Sequence, residues 1–231
     1  MRRYLVVDDN PAFAENLGEI LEDCGAAVDI ANSGEKALAL AGATRYDALV
    51  SDMRMPAMGG AELVHRIRGI DPGLPAIVVT AYIGDNELAA ARAEGLHGVL
   101  PKPVPIERLV ALLGQARRDG VVVIVEDDAA LADNLSELLR GRGFAAITAQ
   151  SVLETEKLGV RPFAAVVDLR VPGGSDGEAM RRLAARFSEL PMFVVSALDV
   201  EPPVVATRRF GKPFDTAELL DAVEAAYQAH G

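Results

Sequence analysis

The chain has 231 residues, enough for one large domain or two of ordinary size, and half of them are hydrophobic, so a packed core is expected rather than disorder. The net charge is −11 and no basic block stands out, which argues against direct binding to nucleic acid. No apolar run reaches the roughly 20 residues of a membrane span, and the short run after Met1 does not make a signal peptide, so we expect a cytoplasmic protein.

The first half of the chain alternates short apolar runs with helical patterns. The runs are continuously apolar, which favours strands of a parallel sheet that is buried on both faces. In the first helical pattern Phe13, Leu17 and Leu21 share one face, and the single cysteine, Cys24, is expected to be buried on that face. The predicted strands are 4–7, 27–30, 48–51, 76–79 and 98–100, and the predicted helices are 11–24, 34–41, 60–70, 85–94 and 106–117.

The second half of the chain repeats the first. We therefore expect two domains, 1–118 and 119–231, each an α/β fold of the (βα)5 type, doubly wound around a parallel five-stranded sheet. The recurring segments are 4–10 at 122–128, 48–56 at 164–172, 76–81 at 192–197, and 102–103 at 212–213.

Polar residues follow the predicted strands of the first copy. Asp8 and Asp9 follow the first strand, Asp52 the third, Thr80 the fourth and Lys102 the fifth, and the carboxyl ends of parallel strands meet at one edge of a sheet. Three clustered carboxylates need a cation, and oxygen ligands without histidine or cysteine favour Mg²⁺. A carboxylate can take a phosphoryl group as an acyl phosphate, while a lysine and a hydroxyl bind its oxygens. The pattern predicts phosphoryl transfer to an aspartate.

These motifs resemble the receiver domains of two-component response regulators over essentially the whole chain. In the first copy they read Val-Asp-Asp-Asn at 7–10, Ser-Asp-Met-Arg-Met-Pro at 51–56, Val-Val-Thr-Ala-Tyr at 78–82 and Leu-Pro-Lys-Pro at 100–103. The resemblance implies two tandem, chemotaxis-regulator-like receiver domains with the flavodoxin-like fold.

The resemblance also implies the role of each site residue. It makes Asp52 and Asp168 the phosphoacceptors. The implied residues of the phosphoryl chemistry are Asp52, Thr80 and Lys102 in copy one and Asp168, Ser196 and Lys212 in copy two. The implied Mg²⁺ ligands are Asp8, Asp9, Asp52 and the backbone carbonyl of Arg54 in copy one, and Glu126, Asp127, Asp168 and the backbone carbonyl of Arg170 in copy two.

The implied function is signal transduction rather than metabolism. A histidine kinase or a histidine phosphotransfer protein would donate the phosphoryl group, and the output would be phosphorelay or contact with a downstream protein. A second copy of the chain is a further candidate partner, and neither nucleic acid nor membrane is expected. The chain would not be an enzyme beyond its self-catalysed aspartyl phosphorylation and dephosphorylation.

Several positions depart from the family pattern. Family members carry an aromatic residue three positions before the lysine, where this chain has Val99 and Arg209. Tyr82 lies two residues after Thr80, at a position that bears on the lifetime of the phosphoryl group in the family.

Copy two is six residues shorter between its fourth and fifth strands and contains Pro202-Pro203 there. A normal fourth helix is therefore not expected, and apolar sheet surface should be exposed.

Other functions use similar residues. Haloacid-dehalogenase-like phosphatases also use an aspartate after a strand with Mg²⁺, but they need a second aspartate two residues later, where this chain has Arg54 and Arg170. Dinucleotide binding needs a Gly-x-Gly-x-x-Gly loop where this chain has acidic residues. The alternative that stays open is a phosphorylation-independent scaffold in which one or both receiver sites are vestigial.

Overall fold

The structure is a computed structural model and describes residues 1–81, 94–197 and 201–230. The chain divides into two compact units, Met1–Asp119 and Gly120–Gly231. Each unit contains a parallel five-stranded sheet with helices between its strands, which confirms the predicted pair of flavodoxin-like α/β folds. None of the helices in the described parts of the chain has the length and apolar character that crossing a membrane requires.

The first unit alternates strands and helices along the chain. In its sheet the strand order is 2-1-3-4-5 and all neighbours are parallel. The order reverses beside the first strand, so the carboxyl ends of the first and third strands border the crevice where open α/β sheets bind ligands. The strands are β1 (Arg3–Val7), β2 (Ala27–Ala31), β3 (Ala48–Asp52), β4 (Ala76–Thr80) and β5 (Gly98–Pro101), and the described helices are α1 (Pro11–Asp23), α2 (Gly34–Ala43), α3 (Gly60–Ile70) and α4 (Ile106–Gln115).

The elements predicted for this unit agree closely with the structure. Each strand boundary agrees to within one residue and each comparable helix boundary to within two. The helix predicted at 85–94 falls almost entirely outside the described residues, as does Tyr82.

The sheet of the first unit is buried on both faces. Along β1, Leu5 and Val7 pack in an apolar cluster with side chains of α2 and α3. Tyr4 and Val6, which point the other way, pack in a second cluster with side chains of α1 and α4. Burial on both faces is the reason that the strands read as continuous apolar runs.

Cys24 is exposed, contrary to the expectation that it is buried. Helix α1 ends at Asp23, and the Cys24 N–H closes its last turn on the carbonyl of Ile20 at 3.2 Å. The chain then reverses at Gly25, whose φ of +85° is typical of the residue that terminates a helix. A residue in this capping position no longer follows the helical face, so the spacing argument fails there.

The second unit has the same topology. Its sheet order, β10-β9-β8-β6-β7, is the first unit's order read from the opposite edge. The equivalent strand ends are therefore again adjacent. The strands are β6 (Val121–Val125), β7 (Ala145–Ala149), β8 (Ala164–Val167), β9 (Met192–Ser196) and β10 (Arg208–Gly211), and the described helices are α5 (Ala129–Gly141), α6 (Val152–Glu156), α7 (Glu178–Arg186) and α8 (Thr216–His230).

Residues 201–207, the described part of the connection between β9 and β10 beyond Ala197, contain no helix, as the prolines predicted. The expected exposure of the sheet does not follow, however. Val204 and Ala206 are half-buried and pack against the apolar core on this face. Gly177, at a φ of +75°, leaves room for Pro203, whose ring atoms would lie 2.6 Å from a Cβ at that position. An extended segment thus takes over the covering role of a helix.

Candidate functional site

Four strand ends of the first unit bring predicted site residues together. Asp8 follows β1, Asp52 ends β3, Thr80 ends β4 and Lys102 follows β5. The backbone N–H of Lys102 donates to the carbonyl of Thr80 at 2.9 Å, which continues the pairing of β4 and β5 into the site. Asp8 and Thr80 are each 1% exposed, and Asp52 is 8% exposed. Parallel strand pairing therefore creates a buried polar cluster from residues that are distant in sequence.

Lys102 connects two of the carboxylates. Its Nζ lies 2.8 Å from Oδ2 of Asp8 and 3.1 Å from Oδ2 of Asp52. Burial acts to lower the pKa of Lys102, but the hydrogen bonds to Asp8 and Asp52 outweigh it and raise that pKa above 10.5. The ammonium group is therefore charged at neutral pH and is held where both carboxylates can share it.

Asp9 completes a group of three carboxylates. One oxygen from each of Asp8, Asp9 and Asp52 lies within 4.8 Å of the other two, and Asp9 is exposed while its partners are buried. Burial raises the pKa of Asp52, with Asp8 adding to the effect and Lys102 opposing it. Three hard oxygen donors open to solvent on one side fit Mg²⁺, which keeps part of its water shell when proteins bind it. The residues present thus fit the ion that the sequence predicted.

The raised pKa of Asp52 predicts a metal-dependent effect on stability. A carboxyl whose folded-state pKa is raised contributes stability below its unfolded pKa, near 3.8, and loses that contribution as pH rises through the folded value. In a chelator at neutral pH we therefore expect Asp52→Asn to unfold at a higher temperature than wild type, by a few degrees. The difference should shrink toward pH 4.

Magnesium should reverse this order, because it binds the ionised carboxylates and stabilises the folded wild type by mass action. Thermal unfolding with chelator and with Mg²⁺ measures both effects, and the exposed Glu19→Gln in α1 is the control for a neutralised surface carboxylate. If Asp52→Asn has a lower thermal unfolding midpoint than wild type in chelator, burial of the ionised Asp52 does not destabilise the folded state, and the explanation is contradicted.

The turn after β1 also orders the start of α1. The backbone N–H of Asn10 donates to Oδ1 of Asp8 at 2.9 Å, and Oδ1 of Asn10 accepts from the N–H of Phe13 at 3.2 Å. The ring of Phe13 lies over the ammonium group of Lys102, with 4.7 Å between Nζ and the ring centroid. Helical spacing predicts only that Phe13 packs on the apolar face of α1, and it does not reveal that the ring reaches the lysine after β5.

The second unit repeats the arrangement with a glutamate. Nζ of Lys212 lies 2.7 Å from both Oε2 of Glu126 and Oδ2 of Asp168. One oxygen from each of Glu126, Asp127 and Asp168 lies within 4.8 Å of the others. Burial raises the pKa of Glu126, against the effect of Lys212. Ser196 ends β9, is 4% exposed, and its carbonyl accepts from the N–H of Lys212 at 3.0 Å. The side chains of Glu126, Asp127, Asp168 and Lys212 are thus near one another, and the backbone of Ser196 is hydrogen-bonded to that of Lys212.

Arg54 and Arg170 were predicted to supply backbone carbonyls to the metal. In the second unit the N–H of Arg170 donates to Oδ1 of Asp168 at 3.0 Å, and a backbone hydrogen bond from Arg54 likewise acts on Asp52. These bonds put both arginines in the loop beside the aspartate. Metal binding through their carbonyls stays a prediction.

The two positions that lack the family's aromatic residue have different surroundings. Val99 in β5 is half-buried and packs against the core cluster on the side of α2 and α3. Arg209 in β10 is exposed, and its Nη1 lies 3.2 Å from Oε1 of Glu201. Neither site offers an aromatic ring to a neighbouring threonine or serine.

Comparison with known proteins agrees with this geometry. The family model described as response regulator receiver domain matches residues 4–114. A response regulator receiver protein of Anaeromyxobacter sp. strain Fw109-5 is 62% identical over 232 aligned residues, which cover 100% of this chain and 98% of that protein. The response regulator MprA of Mycobacterium tuberculosis is 39% identical over 109 residues, which cover 47% of this chain and 47% of MprA.

Among solved structures, the chemotaxis protein CheY4 of Vibrio cholerae aligns with a TM-score of 0.47 and 32% identity, over 49% of this chain and 97% of that one. The similarity to the Anaeromyxobacter protein extends over both units. Phosphorylation and Mg²⁺ binding are typical of the proteins that carry this domain in two-component systems. The chain therefore belongs to the response regulator receiver family.

Proposed function

We propose that the first unit accepts a phosphoryl group on Asp52 and the second on Asp168, each from the phosphohistidine of a histidine kinase or a histidine phosphotransfer protein. One observation carries the proposal. Each unit joins a buried aspartate at the end of its third strand to further carboxylates and to a lysine within hydrogen-bond distance. Burying charged groups costs desolvation energy, so packing alone does not account for this cluster in the two units, whose sequences differ.

The chemical step in the first unit is a displacement at phosphorus. An Oδ of Asp52 attacks the phosphorus in line with the imidazole nitrogen that leaves. The new P–O bond forms as the P–N bond breaks, and the departing imidazole takes up a proton from solvent. The product is an aspartyl phosphate, whose later hydrolysis by water returns the carboxylate and releases phosphate.

The charges around Asp52 suit this step. The ammonium group of Lys102 contacts both Asp8 and Asp52, so it needs little movement to bind a phosphoryl oxygen. The buried hydroxyl of Thr80 is the proposed hydrogen-bond donor to another oxygen. Mg²⁺ held by Asp8, Asp9 and Asp52 would neutralise the charge of the transferring group.

The proposed second-unit residues are Lys212 and Ser196 in the same roles. Glu126 replaces the shorter aspartate, and its longer side chain still brings Oε2 to 2.7 Å from Lys212. We therefore propose that this unit accepts a phosphoryl group by the same chemistry, with Glu126, Asp127 and Asp168 as its metal ligands.

The proposed output is contact with a downstream protein, or phosphorelay, rather than DNA binding. A net charge of −11 opposes approach to the nucleic-acid backbone. In the second unit, residues 201–207 form no helix and Arg209 is exposed on β10, at the position where the first unit has the half-buried Val99 on β5. The two units would then present their phosphorylation state to different partners.

Incubation with Mg²⁺ and a small acyl-phosphate donor tests the proposal. We expect intact-mass spectrometry to show added phosphoryl groups. These groups should not form when a chelator removes Mg²⁺ before the donor is added. Hydroxylamine should remove them, because it cleaves acyl phosphates and leaves serine and threonine phosphates intact. If neither this donor nor a set of phosphorylated histidine kinases modifies the chain, the scaffold function, which the non-aromatic Val99 and Arg209 favour, would replace this one.

A further inference from the structure

The ring of Phe13 provides a third contact for the ammonium group of Lys102. The ring centroid lies 4.7 Å from Nζ, beside the two carboxylate contacts at 2.8 and 3.1 Å. An ammonium within about 6 Å of a ring centroid is attracted by the negative face of the ring, more strongly where water is excluded. The side chain of Lys102 is 27% exposed, so the site is partly shielded from water. The ring therefore adds an attractive contact that restrains the ammonium group beside its contacts with Asp8 and Asp52.

Phe13 belongs to a closed ring of contacts around the site. Asp8 binds the N–H of Asn10, the side chain of Asn10 binds the N–H of Phe13, Phe13 contacts Lys102, and Lys102 returns to Asp8. Asn10 thus binds the carboxylate of Asp8 through its backbone N–H and the backbone N–H of Phe13 through its side chain. These hydrogen bonds hold the backbone of Phe13 in the first turn of α1, from which its side chain reaches the ammonium group.

The second unit supplies an internal comparison. Leu131 is the third residue of α5, as Phe13 is of α1, and its N–H is likewise bound by the N-cap side chain, Asp128 Oδ1, at 3.2 Å. No aromatic face is available from leucine there. Lys212 instead has two carboxylate contacts of 2.7 Å, where the second contact of Lys102 is 3.1 Å. The two units thus hold the same lysine in two ways.

We propose that Phe13 is a positioning residue for phosphoryl transfer to Asp52. Its ring holds the ammonium group of Lys102 where the oxygens of the incoming phosphoryl group come to lie. An electrostatic group fixed before the reaction stabilises the transition state more than one that must be ordered during it. Phe13 exchanges no proton or electron and forms no bond. The inference rests on the proposed function of the first unit.

The test compares rates of phosphorylation by a small acyl-phosphate donor with Mg²⁺. The parent is the full chain with Asp168→Asn, which restricts acceptance to the first unit. We expect Phe13→Leu, the residue found in the second unit, to lower the initial rate roughly two- to tenfold. Phe13→Tyr, which keeps the aromatic face, should restore the rate to within about twofold of the parent.

Lys102→Met separates positioning from packing. If Phe13 acts through the ammonium group, Phe13→Leu should have little further effect on the rate once Lys102 is Met. A packing role would give the same fractional loss in both backgrounds. Thermal unfolding midpoints identify any variant that is destabilised.

The outcomes separate this proposal from the proposed function. If the parent is phosphorylated and Phe13→Leu keeps its rate, or loses the same factor with Met at 102, the role of Phe13 is overturned and the proposed function stands. If the parent takes no phosphoryl group from this donor or from phosphorylated histidine kinases, the role of Phe13 and the proposed function of the first unit are both overturned.

Discussion

Replacing Arg68 with alanine is expected to lower the free energy of unfolding of the first unit by about 3–5 kcal/mol. Arg68 in α3 is 5% exposed. Its guanidinium group donates to four backbone carbonyls, those of Pro72 and Leu74 at 2.6 and 2.7 Å and those of Glu94 and Gly95 at 3.1 and 2.9 Å. Alanine would leave these oxygens without that partner in a buried setting. The loops on either side of β4 would lose their common anchor.

Arg68 remains positively charged although it is buried. Burial lowers its pKa to about 10, while Glu94, Asp71 and Asp119 act to raise it. The group thus stays ionised at neutral pH. Arg68→Lys keeps a charge but cannot direct donors to four carbonyls at once, so an intermediate loss of stability is expected.

Hydrogen exchange of peptides from the first unit, measured with increasing urea, gives the free energy. Arg66→Ala is the matched control two positions away, because Arg66 is exposed and pairs with Glu62 at 2.6 Å along the same helix. That substitution should change stability by roughly 0.5 kcal/mol or less. Equal effects at both positions would refute the anchoring role of Arg68.

Replacing Gly60 with alanine should affect stability and the proposed site together. A Cβ at Gly60 would lie 2.4 Å from the carbonyl oxygen of Asp52 and 3.0 Å from Cα of Met53. The Gly60 N–H also donates to the carbonyl of Met53 at 2.8 Å, so the start of α3 is held tightly against the end of β3. The backbone at the start of α3 and at the end of β3 cannot separate to admit the Cβ without moving Asp52. We expect a loss of about 1–3 kcal/mol in the free energy of unfolding.

Phosphorylation of Gly60→Ala by the small donor should be at least roughly tenfold slower, because small displacements of reacting groups have large effects on rate. Gly69→Ala is the control in the same helix. Nothing lies within 4 Å of its added Cβ, and alanine is favoured over glycine in a helix, so a gain of about 0.5–1 kcal/mol is expected. Wild-type rate and stability in Gly60→Ala would show that the close approach is not required.

The strands could be predicted because burial on both faces leaves a local signature. Five short apolar runs marked β1 to β5, and the order of a doubly wound sheet then brings the strand ends together. Asp8, Asp52 and Lys102 could therefore be assigned to one cluster from their positions after strands. The distances within the cluster, 2.8 and 3.1 Å, depend on strand pairing and could not be read from the sequence.

Features that depend on packing between distant segments were missed. The helical pattern identified the apolar face that carries Phe13 but not the lysine beyond β5 that its ring contacts. Sequence patterns do not single out Arg68, because the four carbonyls that it binds come from two loops. Cys24 was misplaced because spacing describes a helical face and not the capping position where the helix ends.

The connection before β10 shows the same limit. Two consecutive prolines correctly excluded a helix from residues 201–207. The conclusion that the sheet would be exposed was wrong, since alternate residues of an extended segment can face inward as a strand does. Val204 and Ala206 occupy those inward positions against the core.

The most direct test of the central claim counts phosphoryl groups by intact-mass spectrometry at saturating donor and Mg²⁺. Wild type is predicted to gain two, Asp52→Asn and Asp168→Asn one each, and the double variant none. Peptide mapping should locate the group that each single variant retains on the remaining aspartate. Retention of phosphoryl groups by the double variant, or gain of the full wild-type mass by either single variant, would contradict the assignment of Asp52 and Asp168 as the acceptors.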